Sequence, residues 1–408
     1  MKLFLKLAWR NLLRNKRRTF IASLAIAIGL SALIIYDALI IGMKDTTIET
    51  ITSEYFGDAQ IQNEEYKLTS EIDKTIANAD EILNNLSTEE IVQAYTPRLS
   101  AFGMITSPTE VQGVSIVGVK PDTEKDISRI DERIIEGDFF QSGESRNILI
   151  GRDLADLLEV KLGSKVVLTV AQAESGELSQ EMFRISGIYA FADKAMNKSM
   201  VFIELSKAQE LFGLQGKIHK IAIKFTNHDY AMDSNNPFWA RYSNNGNLAE
   251  GWSKLFPQLD AMLKSTDMAR GVVFFVLFGI IVFGIVNTMF MSIYERMFEF
   301  GVLKAVGTRK FKIFQLVIFE SACLALVSIV LGIIIGFIAT GLFARVGIDY
   351  SDVDFSGVTF SDRLRPVMNI WQFIIYPIIV FLFTVIVGIY PAIHASRLKP
   401  TEAMRRSL

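Results

Sequence analysis

Four long runs of apolar residues dominate the sequence and predict four membrane-spanning helices. The clearest run, residues 271–293, carries no charged residue in 23 positions. As a helix it is roughly 34 Å long, which is enough to cross a bilayer. The runs 20–42, 314–343 and 370–390 are similar and hold at most one charge each. The pattern therefore predicts a four-span membrane protein.

A polar stretch, residues 43–270, separates the first two spans. Its short β-branched and aromatic runs predict strands, and its short amphipathic segments predict helices. The predicted strands are 58–62, 111–119, 166–172, 182–189, 200–205 and 218–225, and the predicted helices are 72–91, 152–158 and 206–212, with Ser206 as an N-cap. The stretch is long enough for one large or two small domains.

Two polar segments of this stretch predict loops. Residues 173–179 (AESGELS) are typical of a hairpin loop between two strands. Residues 227–251 are rich in Asn, Ser and Gly, with Trp239 and Tyr242 among them. This composition predicts a surface insertion, with a flexible or partner-facing lobe as the alternative.

A short basic segment, 294–313, lies between the second and third spans. A helical wheel places Phe298, Val302, Ala305 and Val306 on one side of it. Gly307 suits the end of this helix, and Thr308 suits the N-cap of the next one. A short helix held between two spans is expected to act as a lever.

The distribution of charge predicts the topology. Residues 43–270 contain 23 Lys and Arg against 35 Asp and Glu, a net charge of −12. Segments 1–19, 294–315 and 391–408 contain 16 basic and 3 acidic residues, a net charge of +13. By the positive-inside rule these segments, and so both termini, lie in the cytoplasm.

The remaining segments follow from that topology. Residues 1–19 are typical of an amphipathic helix on an anionic membrane surface, with a charge cluster that only sets the topology as the alternative. The apolar run that follows does not resemble a cleaved signal peptide. Residues 344–369 are expected to form an outer loop, and 391–408 a cytoplasmic tail. The predicted fold class is thus an α-helical four-span transmembrane domain with a large extracytoplasmic mixed α+β domain inserted between spans one and two.

The sequence offers little catalytic chemistry. No G-x-x-x-x-G-K-[ST] motif occurs, so nucleotide phosphates have no predicted cradle in this chain. The three histidines are scattered and the single cysteine, Cys323, lies in a span, so no metal site, catalytic triad or disulfide is predicted. The basic residues gather at the membrane surface, which favours lipid headgroups over nucleic acid. We therefore predict neither an enzyme nor a bound cofactor.

Polar and small residues inside the spans predict contacts. Gly332, Gly336 and Thr340 form a small-residue stripe that suits either packing within the four helices or contact with a second subunit. Asp37 is expected to be an interfacial, solvated carboxylate. Glu320 is expected to pair with a cation of the 294–313 segment such as Arg309 or Lys312.

This layout resembles the permease family that includes FtsX, MacB, LolC and LolE. The residues that carry the resemblance are Ala8–Leu12, Glu136-Gly137, Phe139-Phe140, Ile150–Ala155, Leu162–Val166, the segment from Glu295-Arg296 through Glu299 and Gly301 to Gly307, Tyr390–Ala392 and Pro400–Arg405. The chain carries no fused ATPase domain. Its 173–179 loop is too short for the chaperone-binding hook of LolC, so its shape is closer to LolE.

The resemblance implies a mechanism and partners. In such proteins the 294–313 segment is the coupling helix that docks on a separate cytosolic ABC ATPase dimer, which uses ATP and Mg. The implied contact residues are Glu299, Gly301, Leu303, Lys304, Ala305, Gly307 and Arg309. A second permease subunit, alike or different, completes the membrane part. The inserted domain then corresponds to a MacB-like periplasmic core, and the location to a bacterial inner membrane.

The resemblance also implies three candidate functions. The preferred one is release of lipoproteins from the inner membrane, with a periplasmic chaperone or adaptor as a further partner. Acyl chains would then lie at the outer ends of spans one and two, near Tyr36, Ile40, Met43, Met268 and Val272. The alternatives are MacB-like export of peptides, toxins or drugs, and FtsX-like regulation of a cell-wall hydrolase without transport.

Overall fold

The computed structural model describes residues 2–14, 16–140, 143, 146–349, 354–355, 358–359 and 363–398. These residues form two compact units. The helical unit comprises described residues of 1–45, 263–349 and 363–408, and the inserted domain comprises 46–262 with described residues of 350–362. The motif Pro400–Arg405 and most of residues 350–362, within the predicted outer loop 344–369, lie outside the described residues.

Four helices of the described chain are long and apolar enough to cross a membrane. The helices of this part are α1 (Lys2–Arg14), α2 (Lys16–Ile51, continued by a π-turn at Thr52–Phe56), α11 (Pro257–Glu295), α12 (Met297–Ala305), α13 (Lys310–Val346) and α14 (Gln372–Arg397). Three of the predicted spans lie inside these helices, and the fourth, 370–390, begins two residues before α14. Helices α2 and α11 continue well beyond their apolar runs, and Pro257 occupies the first turn of α11, where its missing N–H costs nothing.

The small-residue stripe packs inside the helical unit. A Cβ added at Gly332 would lie 2.9 Å from Leu30 Cδ2, and one at Gly336 would lie 3.1 Å from Ile34 Cδ1. Thr340 is fully buried. Both glycines therefore allow α13 to approach α2 closely, which is the internal-packing alternative of the sequence prediction.

The inserted domain is built on a ten-stranded mixed sheet. Its strands are β1 (Ala59–Asn63), β2 (Val92–Thr106), β3 (Val111–Val119), β4 (Ile134–Gly137), β5 (Asn147–Gly151), β6 (Lys165–Ala171), β7 (Leu178–Tyr189), β8 (Met200–Glu204), β9 (Lys220–Phe225) and β10 (Asn247–Gly251). The order is β10-β1-β9-β2-β3-β8-β5-β7-β4, with β6 paired to β2 and β7. Two-residue strands β11 (Asp354–Phe355) and β12 (Val358–Thr359) form a separate pair.

Short helices accompany this sheet. They are α3 (Glu64–Thr69), α4 (Ala79–Leu86), α5 (Pro121–Ile127), α6 (Arg152–Leu157), α7 (Lys194–Ser199), α8 (Leu205–Phe212), α9 (Pro237–Tyr242) and α10 (Trp252–Leu255), with a 3₁₀ turn at His228–Ala231. Helices α6 and α8 contribute Leu154, Ala155, Leu211 and Phe212 to one core cluster with the sheet. This domain is the mixed α+β domain predicted from the sequence.

Three local predictions in the domain are wrong. The helix predicted over 72–91 is confined to α4, because Asn78 adopts a left-handed φ of 54° and the Ile76 N–H donates to Ile218 O. Helix α8 begins at Leu205, so Ser206 is not its N-cap. Within 227–251, residues Asn247–Gly251 form the edge strand β10, which pairs with β1 in place of a loose surface loop.

Candidate coupling site

Helix α12 presents an apolar face to its surroundings. Met297, Phe300 and Gly301 are buried, whereas the opposite side of the helix is exposed. The exposed apolar residues are Phe298 at 49%, Val302 at 39%, Leu303 at 38% and Val306 at 82%. Ala305 is exposed as well, so all four residues that the helical wheel placed together lie on this side. The predicted apolar stripe is thus the outward face, and a second apolar set anchors the helix.

A buried ion pair fixes the start of this helix. The Arg296 Nη1–H group donates to Glu320 Oε2 at 2.6 Å, and both side chains are no more than 7% exposed. Arg296 also lies over the Phe300 ring, 5.1 Å from its centroid. The expected pairing of Glu320 with a cation of the 294–313 segment is confirmed. The cation is Arg296 in place of the named examples Arg309 and Lys312, because Arg296 lies directly between α11 and α12 and reaches α13 from there.

Glu299 extends this pair into a network. Arg296 Nε–H donates to Glu299 Oε2 at 3.0 Å, and Arg14 of α1 pairs with Glu299 Oε1. Burial alone would raise the pKa of Glu299, but the hydrogen bonds from Arg296 and Arg14 lower it below its usual value. We call Arg14, Arg296, Glu299 and Glu320 the elbow ion network. It joins α12 to α1 and α13.

The other predicted contact residues differ in exposure. Leu303, Ala305, Gly307 and Arg309 are exposed, Lys304 is partly buried, and Gly301 lies on the anchored side. Gly307 has a φ of 96°, a left-handed conformation that favours glycine and ends the helix as predicted. Thr308 is not the next N-cap, because Arg309 occupies that position without a side-chain cap.

A second cluster of charged residues lies where α2, α11 and α14 approach each other. Arg270 Nη2 pairs with Asp37 Oδ1 at 2.6 Å, and the Gln372 amide donates to Asp37 Oδ2 at 2.9 Å. Lys44 pairs with Asp267 at 2.8 Å. We call Asp37, Lys44, Asp267 and Arg270 the helix-end cluster. The expectation of a solvated Asp37 is wrong, because these partners leave the residue only 4% exposed.

The helix-end cluster lines a cavity of about 550 Å³. Its other lining residues are Leu33, Tyr36, Gly271, Phe274 and Tyr376. Tyr36 is the residue of the predicted lipid path that the structure brings to this cavity. Met268 and Val272 are 75% and 60% exposed, and Ile40 and Met43 are partly buried along α2. The path residues are therefore spread around the helix ends.

Sequence reasoning missed Phe274 and Tyr376 as lining residues. Their separation of about a hundred positions leaves no periodic signal, whereas the lone charges Asp37 and Arg270 beside two apolar runs were a usable one. Among the described residues no group of three or more His, Cys, Asp or Glu side chains could hold a metal ion. The chemistry of the helical unit is thus ion pairing and apolar contact.

Comparisons with known proteins match both parts of the chain. Residues 19–231, more than half of the sequence, match the family described as MacB-like periplasmic core domain. Residues 271–400 match the family described as FtsX-like permease C-terminal.

Individual relatives are distant but extensive. The lipoprotein-releasing system transmembrane protein LolC of Xylella fastidiosa is 20% identical over 71% of this chain and 72% of its own. LolE of Haemophilus influenzae is 20% identical over 81% of each chain. The crystal structure of the periplasmic region of MacB from Actinobacillus actinomycetemcomitans covers 50% of this chain and 92% of its own, with 13% identity and a TM-score of 0.35.

Proposed function

The chain belongs to the family of FtsX-like permeases that carry a MacB-like periplasmic core domain, and we propose that it transmits work from a separate ATPase across the membrane to release lipoproteins. It is the permease of an ABC transporter. In this proposal α12 is the coupling helix, both termini are cytoplasmic, and the inserted domain lies in the periplasm of a bacterial cell. ATP and Mg are used by the partner ATPase dimer.

The observation that best supports this proposal is the exposed apolar side of α12, a helix whose other side is anchored by buried residues. Phe298, Val302 and Val306 are exposed on a helix whose other side is buried and tied by Arg296 to Glu320. Exposed apolar residues grouped on one rigid helix are typical of a protein interface. The basic residues Lys304 and Arg309 beside them favour a partner surface with acidic residues at its rim.

The buried Arg296–Glu320 pair of the elbow ion network supplies the rigidity that transmission needs. A force on α12 reaches α13 through Arg296 and Glu320, and reaches α1 through Glu299 and Arg14. Because the Arg296–Glu320 pair is buried and costly to separate, α12 and α13 move together, whereas the exposed Glu299–Arg14 pair holds α1 more weakly. A second permease subunit, identical or homologous, would pair with this chain so that each contacts one ATPase subunit.

The cargo is proposed from the helix-end cavity and from the printed names of the relatives. Phe274, Leu33 and Tyr376 offer apolar contacts for acyl chains, and the cluster charges can contact the polar region next to them. The β6–β7 hairpin loop spans only residues 172–177. It therefore has no long arm for a periplasmic chaperone, and such a partner would bind elsewhere or act through the second subunit.

The test uses the full chain with its co-purified ATPase in nanodiscs. Triacylated lipoprotein should raise ATP turnover of the intact complex, and Val302→Asp should abolish that response by placing a charge in the docking face. Leu162→Asp, which replaces a similarly exposed apolar residue of the inserted domain, is the matched control and should retain stimulation. Normal stimulation in Val302→Asp would show that the ATPase docks elsewhere.

MacB-like export is the second candidate function. It is favoured by the match of residues 19–231 to the MacB-like core domain and by the short β6–β7 loop. Deletion of the gene should then increase susceptibility to drugs or peptide toxins, with no retention of lipoproteins in the inner membrane. Stimulation of ATP turnover by an exported peptide in place of lipoprotein would select this candidate.

A further inference from the structure

A polar pocket of about 320 Å³ lies within the inserted domain, on one face of its sheet. Its polar lining comes from four strands, with Gln60 and Gln62 on β1, Ser100 on β2, Ser115 on β3 and Lys220 on β9. Aromatic residues Phe56, Tyr66, Phe102 and Phe256 surround these groups. The volume is in the range of small-ligand sites in proteins.

The strand register explains why these polar residues gather. Lys220 is paired directly with Gln62 on one side and with Arg98 on the other. Phe102 is paired directly with Ser115. Residues directly opposite in antiparallel strands project from the same face, so β1, β9, β2 and β3 place their polar side chains together.

The pocket has an excess of positive charge. Its charged lining residues are Lys67 and Lys220, and Lys67 is neutralised by Glu250. Lys220 has no ion-pair partner within the described chain, and its amine lies over the face of Tyr66, 5.7 Å from the ring centroid. Burial, followed by repulsion from Arg98, lowers the pKa of Lys220 to about 8. The amine is therefore mostly cationic at neutral pH.

The carboxylate of Glu124 does not serve as the counter-ion of Lys220, because it pairs with the neighbouring Arg98. Arg98 is 1% exposed, and its Nε–H donates to Glu124 at 3.1 Å while its guanidinium lies 4.0 Å from the Tyr55 ring centroid. Glu124 is thus committed to Arg98, and Arg98 Nη1 has no hydrogen-bond partner among the described residues. His219, whose pKa burial lowers to about 4, is neutral and bonded to Ser100 N–H and Ile72 O.

A partly buried amine without a counter-ion is costly, and an anion in the pocket would offset that cost. We propose that this pocket binds the carboxylate or phosphate group of a small amphipathic ligand, with Lys220 as the charge partner. Ser115 and Gln62 supply further hydrogen-bonding groups. The apolar part of the ligand lies against Phe102, which is 73% exposed, and Phe256. This site does not depend on ATPase docking or on the cargo of the transporter.

The test is calorimetric titration of the full chain in phosphatidylcholine nanodiscs. The probes are 3-phenylpropionate, phenylphosphate and the neutral isostere 3-phenylpropionamide. Both anions should bind about tenfold more tightly than the amide, because a charge-assisted hydrogen bond is lost in the amide. Equal binding of the three probes, or no binding of any, would overturn the proposal.

Variants locate the site. Lys220→Gln should weaken both anions about tenfold and leave the amide unchanged, whereas Lys224→Gln, on the same strand but outside the lining, should change neither. Ser115→Leu should exclude all three probes by filling the pocket while Lys220 remains. Circular dichroism confirms that each variant is folded. Unchanged anion binding in both Lys220→Gln and Ser115→Leu would contradict the assignment.

Competition identifies the source of the anion. If soluble short-chain phosphatidylglycerol displaces bound phenylphosphate and N-acetylphenylalanine does not, the natural ligand is a lipid phosphate. The opposite result assigns a carboxylate, such as the C-terminus of a peptide. Both results support the anion site and differ only in which ligand reaches it.

Discussion

The helical unit contains two clusters of paired charges, and their surroundings differ. In the elbow ion network the Arg296 and Glu320 side chains are only 7% and 5% exposed. In the helix-end cluster Arg270 is 34% exposed and faces a cavity of about 550 Å³. The Arg296–Glu320 pair is closed around its charges, although Glu299 and Arg14 of the same network are 40% and 54% exposed, whereas the Asp37–Arg270 pair is open on its Arg270 side.

This difference indicates how one helical unit can transmit force at one cluster and allow helices to separate at the other. Removing one partner of a buried pair typically costs about 3–5 kcal/mol, whereas an exposed pair contributes about 0–1 kcal/mol. The buried Arg296–Glu320 pair therefore keeps α12 and α13 together under load. The helix-end cluster can exchange partners or admit water at little cost, which suits a site where helices must separate to hold or release cargo.

The largest predicted loss of stability follows from a substitution in the elbow ion network. Arg296→Met leaves Glu320 buried without a cation and should lower the free energy of unfolding of the helical unit by about 3–5 kcal/mol. The double variant Arg296→Met with Glu320→Leu removes both charges and should recover most of that loss. Thermal unfolding in detergent measures both. A single variant as stable as the parent would contradict the closed character of this cluster.

A smaller loss of stability is predicted at the contact between α13 and α2. These are the helices that carry Glu320 and Asp37. Gly332→Leu adds a Cβ 2.9 Å from Leu30 Cδ2 and 3.1 Å from Ala27 O, and it should destabilise the unit by about 1–3 kcal/mol. Gly341→Leu is the matched control, because a Cβ there meets nothing within 4 Å. Equal unfolding temperatures for the two variants would argue against close α2–α13 contact.

The helix-end cluster should respond more weakly than the elbow. Arg270→Met leaves Asp37 with its hydrogen bond from Gln372 and with space for water in the cavity, so we expect a loss of about 1 kcal/mol. Arg345→Met, at an exposed arginine of α13, controls for loss of charge and should cost less. A loss as large as that of Arg296→Met would remove the distinction between the clusters.

The smallest predicted effect concerns pH. Because the pKa of Glu299 is lowered in the folded chain, its contribution is fully present above its unfolded pKa and is lost only as the pH falls through the folded value. The difference in unfolding temperature between the parent and Glu299→Gln should therefore be constant from pH 6 to pH 8. The difference should shrink only as the pH falls below the unfolded pKa of Glu299, and a difference that stays unchanged there would indicate that Arg296 and Arg14 do not lower this pKa.

The spans, the elbow and several strands were predictable because their signals are local. Charge-free runs fixed the spans, and Gly307 fixed the end of α12. The partners of the charges were not predictable in the same way. Asp37 and Arg270 are 233 positions apart, and no periodicity specifies which distant cation meets a lone carboxylate.

Two strands of the inserted domain, β2 and β10, were not predicted, and the cause is the same for both. Strand β2 contains Pro97 and the buried Arg98, residues that are rare in strand interiors. Pro97 pairs only with β9, because the pairing with β3 begins at Arg98. Edge strand β10 has a polar, Asn- and Gly-rich approach that is typical of loops, and its pairing with β1 defines it as a strand. Both depend on long-range contacts that override local preference.

The most direct test of this mechanism measures whether α2 and α11 move at the helix-end cluster when the partner ATPase binds nucleotide. Spin labels at Ile40→Cys and Met268→Cys, in a Cys323→Ser background with the partner ATPase in nanodiscs, report the separation of α2 and α11 with and without trapped ATP. The account predicts that nucleotide shifts the distance distribution and that Val302→Asp abolishes the shift. Identical distributions with and without nucleotide in the parent complex would contradict it.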